Sequence, residues 1–410
     1  MSILELLSQP ECWEQFYSYK AGLSCQGGFL KALRAFIDRR GWEPVCEKIA
    51  AGTPFPLPRK AVISKTGSQK KRTVYIYPPD ENMVLKLLTY LLLRRYDRLF
   101  APNLFSFRPG YSAKDAIRRL TATPGILHKF SYKVDISNYF NSVPLAQFLP
   151  MLQAVLADDS ALFGFLRGLL EELDVLDGER TVREEKGIMA GTPLSSFYAN
   201  LYLRELDALF HQRGIPYARY SDDIILFADS REQTEAYAAE VRAFLRMRGL
   251  TVNPAKECFS SPEEGWTFLG FSCNGTRIDI APVSVRKLRQ KMRRKARALQ
   301  RWRKRKGIGG EQAAAAFIRI FNRKLLEQSD DSDLTWSRWF FSVINTTESL
   351  HKIDVYAQDC IRFLMTGTRT KARYNARYAD LKRLGYRSLV HAYYDEKAEE
   401  SGAPEADAQY

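Results

Sequence analysis

Histidine is scarce in this chain. Only His128, His211, His351 and His391 occur in 410 residues, and no two of them have metal-ligand spacing. The six cysteines, at 12, 25, 46, 258, 273 and 360, form no C-x-x-C pair. That pattern argues against a zinc site or a disulfide framework and suits a reducing compartment. No apolar run approaches the ~20 residues that cross a bilayer. The opening stretch "MSILELLSQPECWEQF" carries acids early and no basic leader, so it does not read as a secretory signal. A cytoplasmic location is the expectation. Internal repeats are lacking, and low complexity is confined to the polar, acidic end "EKAEESGAPEADAQY", expected to fray. No Ser-His or Cys-His arrangement suggests a nucleophilic side chain.

What the chain does have is positive charge: 62 Lys and Arg against 47 Asp and Glu, a net +15. Such an excess favours a polyanionic partner, nucleic acid or an anionic membrane. At 45% hydrophobic and 12% aromatic residues the composition is that of a folded protein. The length exceeds one compact core and implies two or three domains.

Residues 1–50 alternate at helical spacing, as in "GGFLKALRAFIDRRG", where Gly41 reads as a stop. "AVISKTGSQKKRTVYIYPP" reads as a hairpin with a basic tip, and "DENMVLKLLTYLLLRRYDRLF" as a helix. From 130 the pattern changes to a strand, "FSYKVDISNYF", then helical stretches to about 175. "GIMAGTPLSSFYANLYLRELDALF" is a glycine-bearing loop entering a long helix. "YARYSDDIILFAD" is a strand pair about a tight turn, "SREQTEAYAAEVRAFLRMRGL" an amphipathic helix, and "WTFLGFSC" a short strand. Beyond 281 the chain is helical and basic. This mixture suggests an α+β domain with helical appendages.

Two adjacent acids, Asp222 and Asp223, interrupt an otherwise apolar run. Buried, unpaired carboxylates cost several kcal/mol, roughly, so something must compensate them. In "YKVDISNYF" the strand alternation puts Tyr132, Val134 and Ile136 on one face and Lys133 and Asp135 on the other. Asp135 and the doublet at a hairpin tip can therefore aim at one spot. Three carboxylates suit hard, oxygen-liganded cations, above all Mg²⁺ shared with substrate phosphates. Two such ions about 3.5–4 Å apart support in-line phosphoryl displacement without a protein nucleophile.

With these residues in view, the chain resembles a reverse transcriptase of the bacterial, group II intron-like lineage. "YSDD" (220–223) resembles the family's Y-x-D-D hairpin, "YKVDISNYF" the strand of its first metal aspartate, and "GTPLSSFYANLYL" its nucleotide-binding loop. "LTVNPAKE" and "FLGF" resemble the segments closing the palm, "SKTGSQKKRTVYI" the fingers hairpin, and "FSFRPGYSAKDAI" the G-F-R-P-G-x-S segment, with Ser106 where glycine is usual. Seven segments in order, across residues 60–275, are far more specific than any one.

The resemblance implies a right-hand polymerase: N-terminal helices and fingers over 1–131, and a palm with an antiparallel sheet over 132–280, with inserted fingers helices near 145–187. A basic helical thumb would follow over 281–410. It implies Asp135, Asp222 and Asp223 as carboxylates for two Mg²⁺ ions, with the Ile136 carbonyl as a further ligand. Phe140 takes the steric-gate position against a ribose 2′-hydroxyl. Lys65 and Arg72 would hold the triphosphate, Gly191 would allow close backbone approach, and Lys256 would protonate departing pyrophosphate. Where the family has P-Q-G, this chain has Met189, Ala190 and Gly191, so the glutamine that contacts the nucleotide is missing.

Residues 285–307 hold 13 Lys and Arg and no acid. Leu288, Met292, Leu299 and Trp302 form a narrow apolar stripe, expected to dock on the palm. Arg289, Arg293, Arg297 and Arg301 are the candidates for contact with a template–product duplex. The V-T-G of retron enzymes and the S-Q of diversity-generating enzymes are absent. The pattern is nearest to defence-associated enzymes that copy a partner non-coding RNA against phage. RNA template, DNA product and dNTPs are the implied partners. A template-independent polymerase, a group II intron or retron-type enzyme, and a degenerate RNA-binding module stay open.

Overall fold

The stretch Ile224–Phe227 is apolar at every position, where a half-exposed strand would alternate. A computed structural model, describing residues 2–23, 27–64, 71–327 and 336–401, explains why. All four residues are fully buried, which a strand achieves only when both its faces are covered.

The chain divides into two compact units, one of Met1–Leu23 with Gly28–Glu264 and one containing Gly265–Tyr410. Among its described residues the first has eight strands: β1 (Arg59–Ser64), β2 (Lys71–Ile76), β3 (Phe130–Asp135), β4 (Asp174–Asp177), β5 (Arg180–Arg183), β6 (Tyr217–Tyr220), β7 (Asp223–Ala228) and β8 (Cys258–Ser260). They form two four-stranded sheets, ordered β2-β1-β4-β5 and β6-β7-β3-β8. The second sheet is antiparallel throughout, with β3 and β7 at its centre. Helix Arg231–Met247, capped by the Ser230 hydroxyl on the Gln233 amide, packs across β3 and β7. Helix Pro79–Arg95 buries Val84, Leu85, Leu87, Leu88 and Leu92 completely and joins the N-terminal helices to one continuous core.

Several details depart from the sequence reading. The stretch "LDVLDGERTV", where the expected helical region stopped at about 175 and no strand was expected, is the β4–β5 hairpin, with Gly178 at φ +65°. The turn itself is Gly178–Glu179, between the register partners Asp177 and Arg180, and glycine at the first position of a two-residue loop is a turn signal that the reading passed over. The long helix after the glycine loop breaks at Leu203 into Ser195–Tyr202 and Arg204–Gln212. Helix Gly27–Asp38 ends with Arg40, not Gly41, in the left-handed region (φ +52°); the Gly41 amide returns to the Phe36 carbonyl at 2.9 Å. The basic tip of the β1–β2 hairpin, with Lys65, and the acidic tail from 402 lie outside the described residues.

In the second unit, β9 (Trp266–Phe268), β10 (Phe271–Asn274) and β11 (Arg277–Ile280) form a meander where one strand was expected. Helix Pro282–Lys306 packs on Gly310–Leu325 and Glu348–Thr366. Met292 and Leu299 of its expected stripe are buried, along with Val285 and Ala296. Buried Asp354 accepts from Tyr386, Ser388 and the Leu389 and Val390 amides, and so caps the helix Leu389–Ser401 from outside it.

Beneath the β6–β7 turn lies Arg219, with no exposed side-chain surface, paired to equally buried Asp207 at 2.6 Å. Removing the carboxylate strands a buried guanidinium. Asp207→Ala is expected to cost about 3–5 kcal/mol of stability, read as a lowered urea midpoint; an unchanged midpoint would show the pair to be dispensable.

Candidate active site

The turn between β6 and β7 contains only Ser221 and Asp222, since Tyr220 and Asp223 are register partners. Ser221 takes φ +59°, a conformation that costs a non-glycine residue energy and must be held from outside. Arg219 holds it: Nη1 donates to the Ser221 carbonyl at 3.3 Å, Nε and Nη2 grip the Asp207 carboxylate, and Nη2 reaches the Asn200 carbonyl at 3.2 Å. The Tyr217 hydroxyl adds a bond to Asp207 at 2.9 Å. The segment around Ser106 is stitched alongside, with the Phe105 amide on the Arg219 carbonyl at 3.0 Å and the Arg219 amide on the Asn103 carbonyl at 3.0 Å. Ser106, in the position where glycine is usual, is buried and donates to Asn200 at 3.0 Å, while Asn200 donates back to its carbonyl at 2.8 Å. The extra hydroxyl is thus fully accommodated.

Across the sheet, Asp135 is the register partner of Asp223, and the Ile136 amide donates to the Asp222 carbonyl at 3.0 Å. The three acids therefore lie at one end of the β3–β7 pair. Asp135 is buried, and its carboxylate takes the Lys256 ammonium and, at 3.3 Å, the Asn253 amide group. Burial, then Asp135, push the Asp222 carboxyl up; nearby Arg72 and Lys256 oppose this. Asp223 rises to about 6 through burial, Asp222 and Asp135, against Lys256 and Lys133. Among the described residues no three His, Cys, Asp or Glu side chains already form a closed ligand cluster. The donor set nevertheless fits hard divalent ions: it is all oxygen, and its mutually repelling charge lacks full compensation.

Around these acids, Asn138 (φ +45°) opens the short helix Tyr139–Ser142. Tyr139 is buried and bonds the Ala199 carbonyl at 2.6 Å, while Phe140 beside it is half-buried. Gly191, at φ +96°, packs so tightly on β2 that a Cβ would lie 2.8 Å from Val74 Cβ. Arg72 is exposed on β2, close enough for its charge to act on Asp222. The candidates Asp135, Ile136, Phe140, Gly191, Asp222, Asp223, Arg72 and Lys256 thus belong to one unit. Arg289, Arg293, Arg297 and Arg301 form an exposed i, i+4 row in the other, and Arg289 covers the Tyr356 ring at 4.5 Å. Sequence reasoning missed Arg219, Asp207 and Asn200. The only hint was an arginine and an aspartate at positions whose neighbours are apolar.

Residues 63–273 match the family model described as reverse transcriptase (RNA-dependent DNA polymerase). The chain belongs to this family. It is 24% identical over 234 residues to the retron Ec86 reverse transcriptase of Escherichia coli, covering 56% of this chain and 67% of that protein. It is 23% identical over 217 residues to the group II intron-encoded protein LtrA of Lactococcus lactis subsp. cremoris, covering 52% of this chain and 35% of that one. The chain therefore spans about a third to two thirds of these curated relatives. Among solved structures, apo telomerase from Candida tropicalis is similar with a TM-score of 0.48 and 11% identity, over 85% of this chain and 63% of that one. For this reverse-transcriptase-family chain, the α+β expectation and the family resemblance both hold. No described helix is long and apolar enough to cross a membrane.

An aspartate raised to about 6 takes up a proton more readily in the fold than in the unfolded chain, where it titrates near ~3.9. Its contribution to stability is therefore greatest below ~3.9 and falls as pH rises through about 6. In metal-free protein, Asp223→Asn is expected to flatten that part of the stability–pH curve, and Lys256→Ala to move the Asp223 titration upward by NMR. A wild-type slope retained in Asp223→Asn would assign the effect elsewhere.

Proposed function

We propose that the chain carries out RNA-directed DNA synthesis through Asp135, Asp222 and Asp223, acting as a carboxylate set for two Mg²⁺ ions with the Ile136 carbonyl as a further ligand. The observation supporting this most strongly is the register pairing of Asp135 with Asp223 beside the Ile136–Asp222 backbone bond. When bound, the ions supply activation of the primer hydroxyl and charge stabilisation on the leaving group. The chain's own groups do the rest. Arg72, with Lys65, binds the triphosphate as fork and point charge. Phe140 presents an aromatic face where a 2′-hydroxyl would sit, and Gly191 lets the backbone lie against the nucleotide. Lys256, whose ammonium lies on Asp135, gives a proton to the departing pyrophosphate in this reading. The exposed row Arg289, Arg293, Arg297 and Arg301 meets nucleic-acid phosphates, so affinity falls steeply with salt.

The finer reading is that the template is a structured non-coding RNA partner, and that copying it in the cytoplasm serves anti-phage defence. It is supported by the absence of the V-T-G and S-Q signatures and by Ala190 in place of glutamine. We likewise propose the organisation as fingers to about 131, palm to about 280 with inserted helices, and thumb beyond.

Asp222→Ala combined with Asp223→Ala is expected to abolish Mg²⁺-dependent dNTP incorporation while leaving the circular dichroism spectrum unchanged. Retained synthesis would defeat the proposal. Phe140→Ala should admit rNTPs, and an unaltered preference for dNTPs would remove the gate assignment. Sequencing the product against a supplied RNA distinguishes templated from untemplated synthesis, and sequencing copurified RNA identifies the template.

A further inference from the structure

Three segments that carry proposed nucleotide contacts meet at one side chain. Asn141 follows the gate residue Phe140 in helix Tyr139–Ser142. Its Oδ1 accepts from the Ala190 amide at 3.0 Å, and its Nδ2 donates to the Thr73 carbonyl at 3.3 Å. Thr73 follows Arg72 on β2, and Ala190 precedes Gly191. The partners fix the orientation of the amide group, because a backbone N–H requires the oxygen and a carbonyl requires the NH₂. Among small side chains, only a carboxamide offers an acceptor and a donor side by side.

The neighbouring backbone adds to the clasp. The Ile188 amide donates to the Phe140 carbonyl at 2.8 Å, and the Tyr75 amide to the Ala190 carbonyl at 2.8 Å. A Cβ at Gly187 would lie 2.5 Å from the Phe140 carbonyl oxygen, so the 187–191 loop lies directly against the helix. Met189, at φ +56°, is buried and takes the Tyr77 hydroxyl on its sulfur at 3.7 Å. The loop is thus held between the gate helix and the fingers strand, and Asn141 is the side chain that bonds to both the loop and the strand.

We propose that Asn141 is a positioning residue for nucleotide selection. It fixes the separation of the Phe140 gate from the Ala190–Gly191 floor and from the β2 strand carrying Arg72, and thereby sets how closely the deoxyribose is enclosed. The inference rests on the polymerase reading above.

The test uses the full chain with an RNA template and a DNA primer. Asn141→Ala is expected to raise the dNTP KM roughly tenfold, because the gate and the loop are no longer held at the productive separation, with kcat within about twofold. Discrimination against rNTPs should fall alongside. Asn141→Asp keeps the acceptor for Ala190 and loses the donor to Thr73, so it should lie between wild type and Asn141→Ala. Wild-type KM and discrimination in a folded Asn141→Ala would overturn the proposal, as would a lowered melting temperature with neither quantity moved. Hydrogen exchange at the Ala190 amide gives a second measure that needs no catalysis. Asn141→Ala should accelerate it, and unchanged exchange overturns the clasp even if wild-type protein incorporates no nucleotide. In that last case the failed incorporation counts against the polymerase reading alone.

Discussion

A guanidinium with no exposed surface lies directly behind the acidic turn. Arg219 is tolerable there only because Asp207 meets it with both oxygens and two carbonyls take up two further donors. Through those bonds the loop at 103–107, the helix Ser195–Tyr202, the helix Arg204–Gln212 and the turn at 221–222 are held in one arrangement. The strained φ of Ser221 depends on this support, and the direction of Asp222 depends on Ser221. A charged pair that contributes little net stability can still specify geometry, and this one sits where geometry matters most.

In front of the turn the electrostatics have the opposite character. Three carboxylates share one end of a strand pair with incomplete compensation, so burial and mutual repulsion push Asp222 and Asp223 up. The cations nearby are few and placed unequally: Lys256 bonds Asp135, whereas Arg72 and Lys133 act at longer range. A site built this way is poised for positive charge. Behind it the network is neutral and rigid; before it the charge is deliberately unbalanced. Pairing of β3 with β7 joins the two halves.

The short segments with fixed local chemistry were legible from the residues. Asp135 stood out as an acid closing a strand, and the doublet at 222–223 as acids inside an apolar run. Their meeting followed from two strands that had to be neighbours. The β4–β5 hairpin was lost because its four-residue strands are short and polar, though Gly178 at the head of its turn was a usable sign. The first two strands of the meander, within 266–273, were read as one because Leu269 adopts a left-handed φ of +49° that leucine rarely takes. Ser106 looked like a departure until Asn200, 94 residues later, was found to bond it.

Periodicity, turn residues and charge are local properties, and these by themselves determined the helices, the acidic hairpin and the basic character of the region after 281. Tertiary structure alone decided which distant groups compensate each other. Arg219 needs Asp207, and Asn141 needs both Ala190 and Thr73. The physical reason is that a buried polar group is constrained by whatever reaches it in space, and spacing along the chain does not encode that distance.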